Sequence, residues 1–92
     1  MLEIILDGEK MTDELTTHKM FKEIFEFPDY YGHNDYALWD CITDWYLDGK
    51  AKIIWKNFNK SKEYLGEDAD IMLKIFRRAA EQYGDFTIEV IE

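Results

Sequence analysis

The chain has 92 residues, of which 47% are hydrophobic, and its 20 acidic against 11 basic side chains give a formal charge of −9. This length and hydrophobic share indicate one domain with a modest core over residues 1–92 and exclude general disorder. The charge argues against direct binding of nucleic acid, because the phosphate backbone would repel such a surface. Without a leader segment or an apolar run of about 20 residues, we expect a cytoplasmic protein that does not bind membranes.

Strand and helix signals alternate along the chain. Short apolar runs predict three strands, at residues 2–6, 50–55 and 86–91. Apolar periodicity predicts four helices between them, with starts at Thr12, Asn34, Asn57 and after a break at residues 66–68. Gly49 is expected to mark a turn and Gly84 the end of the last helix. Strands separated by helices predict an α/β domain in which a three-stranded parallel sheet packs with four helices.

The same periodicity predicts which helix faces are buried. The apolar residues on one side of the first helix are Leu15, Phe21, Ile24 and Phe25. Those of the last helix are Met72, Ile75, Phe76, Ala79 and Tyr83. Residues 27–33 are expected to form a loop in which Gly32 is free to take a positive φ.

The second predicted helix has two dissimilar faces. At 100° per residue, its core stripe consists of Leu38, Cys41, Ile42 and Trp45. The opposite side carries Tyr36, Asp40 and Thr43, with Trp39 and Asp44 beside them. Tyr30 and Tyr31 precede this face in the loop. Exposed aromatic rings around a carboxylate are typical of a protein-binding surface, although each ring alone could be an ordinary surface or covered residue.

Charge and aromatic residues are concentrated in the same segment. Residues 23–49 contain seven acids, no Lys or Arg, and more than half of the aromatic side chains. A uniformly acidic surface attracts basic proteins, including the basic clefts that hold RNA. We therefore expect a basic protein partner.

Catalysis, metal and cofactor binding find little support. The single cysteine, Cys41, lies on the core side of its helix, and neither His18 nor His33 has a second ligand at metal-binding spacing. Asp40 and Asp44 are one helical turn apart and could act as an acid–base pair, but no companion base or nucleophile motif accompanies them. We expect no enzymatic activity, no metal and no cofactor.

Two runs carry a family resemblance: residues 28–34, PDYYGHN, and residues 37–43, ALWDCIT, with Trp45 following. They resemble the barstar family, intracellular inhibitors of the secreted ribonuclease barnase, and the similarity extends over essentially the whole chain. The resemblance implies a three-stranded parallel sheet with four helices. It also implies that the second helix and the loop before it plug a ribonuclease active site, with Asp40 in the place of the RNA phosphate. The other matching interface positions are Tyr30, Gly32, Asn34, Trp39, Thr43 and Trp45.

Some positions depart from the family pattern. Tyr36 stands where the family has a second interface aspartate, with Asp35 one position earlier, and Arg78 and Gln82 replace glutamates of the last helix. The resemblance therefore implies a 1:1 complex with a basic secreted ribonuclease that differs from barnase at its rim. The alternative is an interaction module or immunity protein of the same fold whose partner is not a ribonuclease.

Overall fold

The structure is a computed structural model that describes residues 2–45, 51–83 and 86–92. Its strands and helices follow in the order β1 (Leu2–Asp7), α1 (Glu14–Phe25), α2 (Asp35–Thr43), β2 (Ala51–Lys56), α3 (Phe58–Leu65), α4 (Glu67–Tyr83) and β3 (Phe86–Val90). A 3-10 turn, Gly8–Lys10, follows β1. The predictions for Gly49, Lys50 and Gly84 lie outside the described residues. Within those ranges, none of the helices has both the length and the apolar character that a bilayer crossing requires.

The strands form one parallel sheet in the order β1–β2–β3. Ile4, Ile53 and Ile88 lie side by side across it, which fixes the register of all three strands. Strands that are parallel and separated by helices require crossover connections. The predicted α/β architecture, with three parallel strands and four helices, is confirmed over the described part of the chain.

The helices cover one face of this sheet. On that face Leu6 and Trp55 are fully buried. On the other face Ile5 is exposed, and Lys52 Nζ lies 3.0 Å from Glu89 Oε2 in an ion pair. Because side chains of a strand alternate between its two faces, the strands bury every second residue.

Aromatic rings join α1 and α4 to the sheet. Phe21 of α1 and Phe76 of α4 meet edge to face with their centroids 5.4 Å apart. Phe76 meets Trp55 of β2 in the same way at 6.2 Å. The Trp55 indole N–H donates to Ser61 Oγ at 2.9 Å, which satisfies a polar group that the core would otherwise leave without a partner.

The buried faces of two helices differ in part from the predicted ones. The buried residues of α1 are Thr17, His18, Phe21 and Phe25. Leu15 and Ile24 are exposed, so their assignment to the core face was wrong. Two polar residues could replace them in the core because the Thr17 hydroxyl donates to Asp13 O and the His18 ring bonds to Tyr31. In α4 the predicted stripe is buried except for Ile75, which is half-buried, and Tyr83, which is exposed at the helix end.

Two capping predictions also need correction. The N-cap of α1 is Asp13, whose carboxylate accepts from Thr16 N at 2.7 Å, and not Thr12. Asn57 precedes α3 in the left-handed conformation (φ 55°) and makes no side-chain cap. Its amide instead donates to Asp7 Oδ1 at 3.1 Å, which ties the ends of β1 and β2 together.

Candidate partner-binding surface

Helix α2 is held from below by two fully buried side chains, Leu38 and Ile42. On its other side Tyr36 is 86% exposed, and Asp40 and Asp44 are exposed as well. The helix ends at Thr43, and Asp44 is its C-cap. The helical spacing thus places the predicted binding face toward solvent, on a helix anchored in the core.

Asn34 fixes the start of α2. Its Oδ1 accepts from Ala37 N at 2.8 Å, which confirms the predicted N-cap, and its Nδ2 donates to Gly32 O at 3.3 Å. The positive φ of this loop belongs to His33, at 53°, and not to Gly32 as predicted. The amide of Asn34 therefore holds the last loop residues against the first turn of the helix.

Asp40 lies between two shallow depressions of the surface. One, of about 290 Å³, is shared with Tyr30, Gly32 and Tyr36. The other, of about 270 Å³, is shared with Tyr30, Asp44 and Trp45. No Lys or Arg of the described residues lies within ion-pair distance of the Asp40 carboxylate. Both depressions are lined by aromatic and acidic side chains.

The two tryptophans beside this face are half-buried. The Trp45 ring meets the edge of Phe25 with centroids 5.0 Å apart, which connects the end of α2 to α1. Trp39 packs partly on the core, and its remaining surface lines a groove against Ile71 and Ile75 of α4. Both rings are thus fixed in place while part of each stays accessible.

Thr43 and Cys41 are constrained by their own surroundings. The Thr43 hydroxyl donates to Trp39 O at 2.7 Å, so its hydrogen is already used in a hydrogen bond within the helix. Cys41 is half-buried, and burial raises the pKa of its thiol, with the Asp40 and Asp44 carboxylates adding to the rise. A thiol held in its protonated form is a poor nucleophile.

Tyr31 does not belong to the exposed face, contrary to its predicted place beside it. It is buried, and its hydroxyl lies 2.7 Å from His18 Nδ1 of α1. His18 Nε2 lies 3.3 Å from Asp35 Oδ1 at the start of α2. The carboxylate beside Nε2 favours the tautomer protonated there, so Nδ1 accepts a hydrogen bond that the Tyr31 hydroxyl donates. This contact secures the loop from the inside.

Two carboxyl groups complete this buried cluster. Asp68 of α4 is the second carboxyl group, and burial, followed by the effect of Asp35, raises the pKa of Asp68 to about 6. Burial lowers the pKa of His18, although the Asp68 and Glu14 carboxylates oppose that shift. Since Asp35 lies beside His18, its carboxylate is not free to substitute for the interface aspartate that the family resemblance implies at position 36.

Sequence reasoning missed the role of His18 and the position of two cations. Lys74 and Arg78 of α4 line the groove that Tyr36 and Trp39 form on α2. Residues 23–49 contain no Lys or Arg, so this segment alone suggests a surface without cations. Lys74 and Arg78 come from a segment more than 30 residues later in the chain, and only the folded structure brings them beside Tyr36 and Trp39. Their i, i+4 spacing is the signal that could have revealed a cationic helix face.

No group of three or more His, Cys, Asp or Glu side chains within residues 2–45, 51–83 and 86–92 is arranged to hold a metal ion.

Comparison with known proteins assigns the chain to a family. The family model described as "Barstar (barnase inhibitor)" matches residues 1–91. A protein of Bacillus subtilis (strain 168) with the name "Putative ribonuclease inhibitor YrdF" is 39% identical over 92 residues, which cover 100% of both chains. The match extends over both the α2 surface and the sheet beneath it. The chain belongs to the barstar family.

Proposed function

We propose that this protein inhibits a basic secreted ribonuclease by covering its active site with α2 and the preceding loop. The observation that carries the proposal is the exposed Asp40 carboxylate, which has no cation near it among the described residues and projects from a rigid helix. Family membership and the name of the Bacillus subtilis relative support the same class of partner.

The Asp40 carboxylate takes the place of an RNA phosphate in this mechanism. A ribonuclease holds that phosphate with Arg and Lys side chains, and a carboxylate accepts the same charge-assisted hydrogen bonds. The bonds strengthen when the complex excludes water. Because α2 is already fixed by buried Leu38 and Ile42, little conformational freedom is lost when Asp40 binds.

The residues around Asp40 supply area and shape. Tyr30 and Tyr36, 84% and 86% exposed, offer large rings at little entropic cost, and the partly accessible rings of Trp39 and Trp45 extend the contact. The remaining members of the proposed surface are Gly32, Asn34, Thr43 and Asp44. Since these residues form one continuous face of one chain, we expect a 1:1 complex.

The test compares two variants that each remove one negative charge. Asp40→Asn removes the proposed phosphate mimic, whereas Glu3→Gln removes a carboxylate from the sheet face that the helices do not cover. Inhibition constants are measured against a panel of purified basic ribonucleases, barnase among them. A carboxylate lost from a desolvated ion pair costs about 3–5 kcal/mol, which corresponds to a factor of roughly 10² to 4 × 10³ in affinity.

We expect that loss for Asp40→Asn and a much smaller change for Glu3→Gln, which affects only long-range attraction. Equal inhibition by Asp40→Asn and the unmodified protein would refute the phosphate-mimic mechanism. Failure of the unmodified protein to inhibit any enzyme of the panel, together with capture of a basic partner that does not cleave RNA, would refute the ribonuclease assignment.

A further inference from the structure

The groove between α2 and α4 continues the Asp40 surface. Its volume is about 520 Å³, and Tyr36 lines both this groove and the depression that contains Asp40. Its apolar walls are formed by Tyr36, Trp39, Ile71 and Ile75. A protein that covers Asp40 therefore also reaches the groove.

Two cations line the same groove. Lys74 and Arg78 are exposed, and neither has a carboxylate within 4.0 Å among residues 2–45, 51–83 and 86–92. Asp35 is the acid that lines the groove, but it faces His18 and Asp68. The groove thus combines apolar walls with two cations that have no ion-pair partner among the described residues.

Lys74 and Arg78 stabilise neither each other nor the end of the helix. Lys74 and Arg78 are four residues apart, so their like charges repel each other along one face of α4. Neither lies in the last turn of α4, which contains no basic residue, so they do not stabilise the carbonyl end of the helix. An anionic partner group explains them better than the needs of the fold.

We propose that this groove receives an acidic side chain from the rim of the partner ribonuclease. The carboxylate lies between Lys74 and Arg78, and the carbons of its side chain pack on Trp39. The inference rests on the proposed function and narrows the class of ribonuclease that can be the partner. Such an enzyme has a basic cleft opposite Asp40 and an acidic rim opposite Arg78. A ribonuclease with a basic residue at that rim position is rejected by like-charge contact.

The experiment reverses one charge inside the groove and one outside it. Arg78→Glu places an acid in the groove. Arg77→Glu changes the overall charge identically on the same helix, at an exposed residue that does not line the groove. Both variants are assayed, with Asp40→Asn alongside, against the ribonuclease of the panel that the unmodified protein inhibits most tightly. Thermal unfolding shows that each variant is folded.

We expect Arg78→Glu to raise the inhibition constant by about tenfold or more relative to Arg77→Glu. Replacement of the matching acid on the ribonuclease rim by Lys should restore inhibition by Arg78→Glu and weaken inhibition by the unmodified protein. Equal or tighter inhibition by Arg78→Glu, with Asp40→Asn still weakened, overturns the groove inference and leaves the proposed function standing. Failure of the unmodified protein to inhibit any enzyme overturns both.

Discussion

Removal of one hydroxyl group tests the buried contact that secures the binding loop. Tyr31→Phe keeps the ring and its packing against Phe27, whose centroid lies 5.0 Å away, but removes the hydrogen bond to His18. His18 is only 1% exposed, so no water can readily take the place of the lost hydroxyl. The variant thus leaves a ring nitrogen buried without a partner.

The expected cost follows from that burial. A buried polar group left without a partner lowers the free energy of unfolding by about 1–3 kcal/mol. For a domain of this size each kcal/mol lowers Tm by about 4–8 °C. Urea unfolding followed by tryptophan fluorescence measures the free energy, and a thermal scan gives Tm independently.

A neighbouring tyrosine provides the matched control. Tyr30→Phe removes the same hydroxyl from a side chain that is 84% exposed, and its unfolding free energy should change by less than about 0.5 kcal/mol. If Tyr31→Phe were as stable as Tyr30→Phe, the His18 contact would contribute nothing to the loop, and the reasoning would be refuted.

Three further substitutions test other parts of the fold. The folded protein holds a proton on Asp68 up to about pH 6, whereas the unfolded chain releases it near pH 3.8, so this group's contribution to stability falls as the pH rises between those values. The Tm of Asp68→Asn relative to the unmodified protein should therefore be higher at pH 7.5 than at pH 4.5, and an equal difference at both would contradict the shift. Asn34→Ala removes the cap on Ala37 N and should lower the free energy of unfolding in urea by about 0.5–2 kcal/mol. An unchanged urea midpoint would show that the cap does not stabilise the protein. Gly8→Ala places a Cβ against the Asn57 carbonyl oxygen and should cost about 1–3 kcal/mol, so unchanged stability would contradict this close approach.

The elements of the fold were predictable because each has a clear local period. The strand Phe86–Val90 alternates strictly, and α4 repeats its apolar residues at helical spacing. The start of α1 was predicted one residue early, at Thr12 instead of Asp13, because Thr is a good N-cap by residue type and only the backbone conformation shows which residue caps the helix. The single-domain organisation and the cytoplasmic location stay predictions from the sequence.

The part of the proposed binding face that lies on α2 itself could be predicted from the sequence. Helical geometry alone places Tyr36 and Asp40 opposite Leu38, and the structure has them so. The burial of Tyr31 was not predictable, because this loop residue contacts His18, which lies 13 residues earlier on α1. The proximity of Arg78 to Trp39 depends in the same way on how α4 packs beside α2.

The central claim is that Asp40 occupies the site where the ribonuclease holds the RNA phosphate, and competition tests it directly. The dissociation constant of the complex with the inhibited ribonuclease is measured at increasing concentrations of a mononucleotide whose phosphate binds where the enzyme holds the scissile phosphate of RNA. Mutually exclusive binding should make the apparent dissociation constant increase linearly with nucleotide concentration from its value without nucleotide. A complex whose affinity stays constant while the nucleotide remains bound would contradict the claim.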